Sequence, residues 1–177
     1  MTNIAIIGAG AIGCRIAAHL AQQGTPCVLV DGWQDHVDAL NRSGLTFEHQ
    51  GRMQTFSTTA YHCDTPPTER FDVVLLAVRS DETQKMLPLV QALLADDGCV
   101  VSCQNGLNEE DIAQAVGPQR TLGCSLILGA RLMAPGHVLA IEGPDTLRVG
   151  EFQGGRTPRL QYFASVLGAC GTATATD

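Results

Sequence analysis

Short apolar runs alternate with amphipathic stretches along the first two thirds of the chain. The runs 3–7, 27–30, 71–78 and 99–103 have the continuous apolar character of strands buried on both faces of a parallel sheet. The stretches 12–23, 34–43, 81–94 and 108–116 carry apolar residues at helical spacing, although Pro88 lies inside one of them. This alternation predicts an α/β fold with a doubly wound, mainly parallel Rossmann-type sheet.

The pattern changes toward the C-terminus, where polar and apolar residues alternate over shorter distances. Segments 45–49 and 53–58 predict two strands around a turn at Gly51, and 121–128 predicts a further strand. Segments 130–133, 137–142 and 146–149 predict a few short antiparallel strands. Segment 158–167 predicts a last helix, and 172–176 is either an edge strand or a frayed end.

Composition limits the kinds of protein that this chain can be. Its 177 residues with 45% hydrophobic content suit one domain, 1–177, and no internal repeat is evident. A net charge of −7 without a basic cluster argues against a nucleic-acid or anionic membrane partner. The seven cysteines include no C-x-x-C pair, so we expect reduced, mostly buried thiols in a soluble cytoplasmic protein. The five histidines lack metal-ligand spacing, and we expect no metal site.

A glycine-rich turn follows the first predicted strand directly. Its residues are Gly8, Ala9, Gly10, Ala11, Ile12 and Gly13, which form a G-x-G-x-x-G motif between strand and helix. The glycines allow a tight turn and a close approach of the backbone to a pyrophosphate, which the helix N-terminus stabilises. We therefore expect these six residues to contact a dinucleotide. The structural alternative is an ordinary glycine-rich corner.

Asp31 ends the second predicted strand at the offset expected for a ribose-binding carboxylate. It can accept hydrogen bonds from both ribose hydroxyls of NAD, whereas the 2′-phosphate of NADP would meet like charge. No basic residue lies near it in sequence before Arg42. This favours NAD, and the alternative is that Asp31 only caps the helix that starts near Asp35.

Two further motifs, Val78-Arg79 and Gln104-Asn105-Gly106-Leu107, lie at the expected carboxyl ends of strands. Two others, Ser43-Gly44-Leu45 and Pro135-Gly136-His137, lie elsewhere in the chain. Together with the glycine motif, they resemble the N-terminal NAD(P)-binding domain of the ketopantoate reductase (2-dehydropantoate 2-reductase) family. The resemblance spans nearly the whole chain, and the Gln-Asn-Gly element is its most specific part.

The resemblance implies hydride transfer from a nicotinamide to a 2-oxo acid such as ketopantoate, as in pantothenate biosynthesis. It places Asn105 near the nicotinamide and the substrate, where an uncharged amide can both donate and accept. It also implies cofactor contacts from Arg79 and Gly129. The family mostly uses NADPH, in contrast to the preference that Asp31 indicates. The alternative for Asn105 is a simple turn residue before a helix.

The sequence departs from the family pattern in two respects. Arg79 stands where the family has a lysine; it anchors cofactor or substrate, or else it pairs with Asp81 or Glu82 at a helix entry. The general-acid lysine of the family belongs to a following helical domain, which we expect to be absent from this chain. Lys85 is not at an equivalent position, so the chain alone should bind cofactor and turn over little substrate.

Two other interpretations remain open. The chain could be a non-catalytic nucleotide-sensing or interaction domain, or part of a related dehydrogenase that acts on another 2-oxo or sugar acid. Its expected small-molecule partners are NAD or NADP and, in a full-length protein, a small 2-oxo acid. A domain without its helical partner would expose an apolar face, so a homodimer is also open.

Overall fold

A ten-stranded mixed sheet organises the chain, and the computed structural model describes residues 2–176 of it. The strands are β1 (Ile4–Ile7), β2 (Cys27–Asp31), β3 (Leu45–His49), β4 (Arg52–Phe56), β5 (Thr59–His62), β6 (Phe71–Leu76), β7 (Leu94–Ser102), β8 (Thr121–Ala134), β9 (His137–Glu151) and β10 (Thr172–Thr176). The helices are α1 (Ala11–Gln22), α2 (Gln34–Ser43), α3 (Thr83–Leu93), α4 (Glu109–Val116) and α5 (Pro158–Leu167).

The strand order is β4-β3-β9-β8-β7-β6-β1-β2-β5, and β10 pairs with β9. Strand β1 is parallel to both β2 and β6, so the chain winds outward in opposite directions from it. Ile7 is aligned with Val30 on one side and with Leu76 on the other. The carboxyl ends of these strands therefore meet at one edge, where ligands bind in doubly wound sheets.

Helices cover both faces of this parallel region. On one face, α1 packs over β1 and β2 and over the neighbouring β8 and β9, near α5, within an apolar cluster that includes Ile16, Leu20 and Phe163. On the other face, α3 and α4 contribute Leu87, Val90 and Ile112 to a second cluster. The predicted doubly wound, mainly parallel fold is confirmed. Among residues 2–176, no helix is long and apolar enough to cross a membrane.

The C-terminal part differs from its prediction in the length of its strands. Instead of a few short antiparallel strands, β8 and β9 form one hairpin of 14 and 15 residues. Its register shifts between Ile127 and Gly129 and again between Leu132 and Ala134. These irregularities interrupt the alternating pattern without ending the strands, which explains why the sequence predicted several separate ones.

Smaller differences concern element boundaries. Strand β5 was not predicted, because its four residues follow Ser57 and Thr58 without a clear apolar run. Strand β7 begins at Leu94, although its pairing with β6 is irregular before Cys99. The predicted helix 81–94 is a 3₁₀ turn, Ser80–Glu82, followed by α3 with Pro88 inside it. Segment 172–176 is a strand and not a frayed end.

Candidate functional site

The glycine-rich turn connects β1 to α1 in a conformation that its glycines make possible. Gly8 has a φ of 96°, and a Cβ there would lie 2.8 Å from Ala77 and Val78 on the neighbouring chain segment. A Cβ on Gly13 would lie 1.9 Å from the Gly8 carbonyl oxygen. By contrast, no protein atom lies within 4 Å of a Cβ built on Gly10, the residue that precedes α1. Gly8 and Gly13 therefore serve packing, whereas Gly10 faces open space.

Asp31 accepts two backbone hydrogen bonds at the end of β2. Its Oδ2 accepts from the Ala9 N–H at 2.8 Å, and its Oδ1 accepts from the Trp33 N–H at 2.9 Å. Helix α2 begins at Gln34 with Trp33 as its N-cap residue, so Asp31 orders the approach to the helix without capping its first turn. The carboxylate thus holds the glycine-rich turn while it remains only half-buried.

A cavity of about 280 Å³ adjoins this carboxylate. It is lined by Ile7, Gly8, Val30, Asp31, Gly32, Cys63, Val78, Glu82 and Met86. Two of these residues carry carboxylates, and no arginine or lysine belongs to the described lining. A mainly apolar slot with carboxylates at its edge suits a nucleoside better than a phosphate group.

A second cavity, of about 290 Å³, lies on the other side of Val78. It is lined by Ile12, Ala77, Val78, Arg79, Ser80, Cys103, Gln104, Asn105 and Leu126. The two cavities thus flank the carboxyl edge of β1 and β6, with residues of the glycine-rich turn in both. Arg79 and Asn105, both predicted as site residues, lie in the second one.

The Gln104-Asn105-Gly106 segment is held by buried amides on either side of Asn105. The Gln104 amide nitrogen donates to the Val78 carbonyl and to the Thr83 hydroxyl, each at 2.8 Å. The Asn108 amide donates to Ser80 Oγ at 3.1 Å and to the Asn105 carbonyl at 3.2 Å. These contacts fix the backbone of Asn105 and leave its side chain exposed. Sequence reasoning missed the bracing role of Gln104 and Asn108, which only the tertiary contacts reveal.

Arg79 follows β6 and its side chain is 80% exposed. Its Nη2 lies 2.8 Å from Asp81 Oδ2. This is the ion pair at a helix entry that was the alternative to a role in binding. Exposed pairs of this kind contribute little free energy, so the guanidinium can turn toward a ligand at small cost. Its predicted contact with the cofactor stays a prediction.

Gly129 lies within β8, and its carbonyl accepts from Arg15 Nη1 at 2.6 Å. Arg15, on α1, is 1% exposed and also pairs with Asp145 on β9 at 2.7 Å. This buried guanidinium connects the first helix to the hairpin, and no motif in the sequence predicts that contact. The predicted cofactor contact of Gly129 remains a prediction.

Polar groups behind the glycine-rich turn are also buried. The Cys14 thiol donates to the Ala9 carbonyl at 3.0 Å, and burial raises the pKa of this thiol well above its usual range. Cys14 is therefore a packing residue and not a reactive thiolate. His36 Nε2 lies 2.9 Å from the same carbonyl oxygen, and burial lowers the pKa of this imidazole.

One side-chain cluster within residues 2–176 has metal-ligating chemistry. His62, Cys63 and Asp64 place ligand atoms within 4.8 Å of one another. Both ring nitrogens of His62 already have partners, the Gly32 carbonyl at 3.0 Å and the Asp64 N–H at 3.2 Å. Burial raises the pKa of the Cys63 thiol, which disfavours the thiolate that a metal would need. The expectation of no metal site stays a prediction.

Comparison with known proteins places this geometry in a family. The family model described as "Ketopantoate reductase PanE/ApbA" matches residues 4–154. The 2-dehydropantoate 2-reductase of Lactococcus lactis is 26% identical over 171 residues, which cover 96% of this chain and 54% of that protein. The enzyme of the same name from Mesorhizobium japonicum is 28% identical over 183 residues, covering 92% of this chain and 56% of the relative.

Solved structures agree with the sequence matches. A D-mandelate dehydrogenase with NADH and anilino(oxo)acetate has a TM-score of 0.90 and 27% identity, covering 99% of this chain and 57% of that one. The 2-dehydropantoate 2-reductase of Geobacter metallireducens has a TM-score of 0.88 and 25% identity, covering 98% and 57%. The chain spans about half the length of the curated relatives it matches. The predicted NAD(P)-binding domain of an oxidoreductase is confirmed, and the chain belongs to the ketopantoate reductase PanE/ApbA family.

Proposed function

We propose that this domain binds NADH in preference to NADPH, for the reduction of a small 2-oxo acid by the full-length protein. The observation that carries the proposal is the Asp31 carboxylate at the edge of a cavity whose described lining contains no cation. A ribose with two free hydroxyls can donate to this carboxylate, whereas a 2′-phosphate would meet its charge and that of Glu82. The structural neighbour solved with NADH supports the same preference.

The residues present suit a dinucleotide along the carboxyl edge of the sheet. The open space at Gly10 accommodates a pyrophosphate beside the N-terminus of α1, where Ala11 and Ile12 begin the helix. The adenosine would occupy the cavity beside Asp31, and the nicotinamide the cavity beside Asn105. When bound, the nicotinamide supplies the hydride.

The chain's own residues then bind and orient the reactants. Asn105, with a fixed backbone and an exposed amide, would hold the nicotinamide or a substrate oxygen. Arg79 would exchange its contact with Asp81 for a cofactor phosphate or a substrate carboxylate. Lys85 pairs with Glu82 at 2.9 Å on the surface, so it is not the proton donor that carbonyl reduction needs. We therefore expect this chain to bind cofactor without turning over substrate.

A titration with both cofactors tests the proposal. Trp33 is the only tryptophan, lies two residues beyond Asp31 and is 44% exposed, so its fluorescence should report adenosine binding. We expect tighter quenching by NADH than by NADPH, with calorimetry as an independent measurement. Equal or tighter binding of NADPH would contradict the preference, and no binding of either would contradict the proposed function.

Two variants make the test specific. Asp31→Asn removes the charge while its amide oxygen can still accept from the Ala9 N–H, so the preference for NADH should fall by on the order of tenfold. Asp38→Asn removes an equal charge from the exposed face of α2 and should leave the preference unchanged. Gly10→Val should abolish binding of both cofactors, because the new side chain would occupy the space proposed for the pyrophosphate. The variant should still fold, because a Cβ at Gly10 meets no protein atom.

The D-mandelate dehydrogenase neighbour favours a second substrate candidate. Its complex holds anilino(oxo)acetate, an aromatic relative of a 2-oxo acid, and its fold matches this chain closely. The full-length protein should therefore be assayed with ketopantoate and with aromatic 2-oxo acids. Faster NADH oxidation with ketopantoate would place the reaction in pantothenate biosynthesis, and faster oxidation with an aromatic acid would support the second candidate.

The proposal extends to a cytoplasmic location and to self-association of the protein. All seven cysteines are free thiols, which suits the reducing cytoplasm. Exposed apolar residues on the hairpin, Ile127 at 60% and Ile141 at 47%, suit self-association such as a homodimer. Fractionation of the native host and sedimentation of the purified protein test these two points.

A further inference from the structure

His36 connects two loops that are far apart in the sequence. The side chain lies on α2 and is 1% exposed. Its Nε2 is 2.9 Å from the carbonyl oxygen of Ala9, in the glycine-rich turn. Its Nδ1 accepts a hydrogen bond of 2.9 Å from the N–H of Gly136, in the turn of the β8–β9 hairpin 100 residues away. Trp33 stacks on the ring with centroids 5.5 Å apart.

These contacts require one neutral form of the imidazole. Because Nδ1 accepts from the Gly136 N–H, the ring proton must be on Nε2, which then donates to the Ala9 carbonyl. A protonated ring would direct a second N–H at that of Gly136. The Cys14 thiol donates to the same Ala9 oxygen, so this carbonyl is held from two helices.

The orientation of the Ala9 carbonyl determines the direction of the next amide. In a trans peptide, the Ala9 C=O and the Gly10 N–H lie in one plane and point in opposite directions. His36 holds the C=O toward the protein interior, so the Gly10 N–H points in the opposite direction, away from His36. On its other side, the Ala9 N–H is bound by Asp31. Both ends of this residue are therefore fixed before any ligand arrives.

We propose that neutral His36 is a positioning residue for the cofactor, one that aims the Gly10 N–H at the pyrophosphate and ties the glycine-rich turn to the hairpin. This rests on the proposed position of the dinucleotide. The hydrogen bond to Ala9 governs affinity, and the hydrogen bond to Gly136 governs only the stability of the hairpin turn. The two ring nitrogens thus have separable effects.

Two amide substitutions separate these effects. In His36→Gln, the amide nitrogen replaces Nε2 and can donate to Ala9, while the acceptor for Gly136 is lost. In His36→Asn, the amide oxygen replaces Nδ1 and can accept from Gly136, while the donor to Ala9 is lost. Each variant loses one buried hydrogen bond, so we expect similar losses of stability in urea denaturation.

The affinity for NADH should distinguish the two variants, measured with folded protein by Trp33 quenching and calorimetry. We expect His36→Asn to weaken binding by on the order of tenfold, and His36→Gln by less than about threefold. His19→Asn is a control, because His19 is also a buried histidine, but it lies on α1 itself and contacts Gln22 at the end of that helix far from the glycine-rich turn. It should lower stability without changing affinity.

The proposal fails if the two His36 variants bind NADH equally well, or if affinity simply follows stability across all three variants. Equal affinity would show that the Ala9 hydrogen bond does not orient the binding loop. If the unaltered chain binds no NADH, the proposed function is overturned, and this inference with it. Normal binding by the unaltered chain and by His36→Asn would overturn the inference alone.

Discussion

The parallel strands and the long hairpin bury their residues in different ways. All four residues of β1 are buried, and four of the six in β6 lie in one unbroken buried run. In the hairpin, buried residues alternate with exposed ones, as at Cys124, Ser125, Leu126 and Ile127. Helices cover the parallel strands on both faces, whereas part of the hairpin carries a helix on one face only.

Because of this difference, the parallel strands and the hairpin contribute to the candidate site in different ways. The parallel region places the candidate binding groups at its strand ends, because buried strands have no free side chains along their length. The hairpin reaches this region through buried polar contacts, Arg15 to Asp145 and His36 to Gly136. Apolar packing thus builds the proposed cofactor edge, and buried polar contacts act together with strand pairing and the apolar packing of α1 to join the hairpin to it.

The largest effect is expected where backbone packs against backbone in the parallel region. Gly13→Ala would place a Cβ 1.9 Å from the Gly8 carbonyl oxygen, so α1 must shift away from β1. We expect a loss of about 3 kcal/mol in the free energy of unfolding, measured with urea. Gly10→Ala meets no protein atom and should cost less than about 1 kcal/mol. Equal losses would contradict the distinction between Gly13, which packs against backbone, and Gly10, which faces open space.

A smaller effect is expected from the ion pair that joins α1 to the hairpin. Asp145→Asn keeps the side-chain size and suits the positive φ of 41°, but it removes the charge opposite the buried Arg15 guanidinium. Because Asp145 is 23% exposed, we expect a loss of about 2 kcal/mol, below that of a fully buried pair. Asp64→Asn, on an 85% exposed side chain, is the control and should change stability by less than about 0.5 kcal/mol.

The dependence of stability on pH should come mainly from two buried histidines, His19 and His36. Burial lowers the pKa of His19 and of His36 below the ordinary value of 6.5, so the folded state favours their neutral forms. Their contribution is fully present above that value and is lost as pH falls from 6.5 toward the folded pKa, because the unfolded chain then binds more protons. Glu151, whose pKa is lowered by the Arg159 hydrogen bond, acts only below 4.5.

We therefore expect the free energy of unfolding to fall between about pH 7 and pH 5, and His36→Asn to flatten this dependence. Urea titrations at several pH values measure it. An unchanged slope in both His36→Asn and His19→Asn would show that other groups dominate.

The sequence predicted the parallel region better than the hairpin, for a physical reason. Strands such as β1 and β6 are continuous apolar runs next to glycine or a helix, and that signal is local. The hairpin strands contain Gly129 and two register shifts, and their continuity depends on pairing between distant residues. Long-range pairing leaves no mark in a short window of sequence.

The residues of the candidate site also differ in how well the sequence predicted them. Gly8, Gly10, Gly13 and Asp31 follow a spacing set by one strand–helix unit, and the structure brings them together. His36 and Arg15 looked like ordinary helix residues, because their partners lie about a hundred or more residues away. Whether Arg79, Asn105 and Gly129 contact the cofactor stays a prediction.

The smallest effect on stability, but a visible effect on assembly, is expected on the exposed face of the hairpin. Ile127 and Ile141 are 60% and 47% exposed, so replacing both with threonine removes few packed contacts and keeps a β-branched side chain in each strand. The free energy of unfolding should change by less than about 1 kcal/mol. Sedimentation velocity should show less self-association in the double variant than in the unaltered chain, because contact between apolar surfaces drives association.

Val28→Thr, on a half-buried residue of β2 in the parallel region, is the matched control and should leave association unchanged. Equal association of all three proteins would show that the hairpin face is not the contact surface.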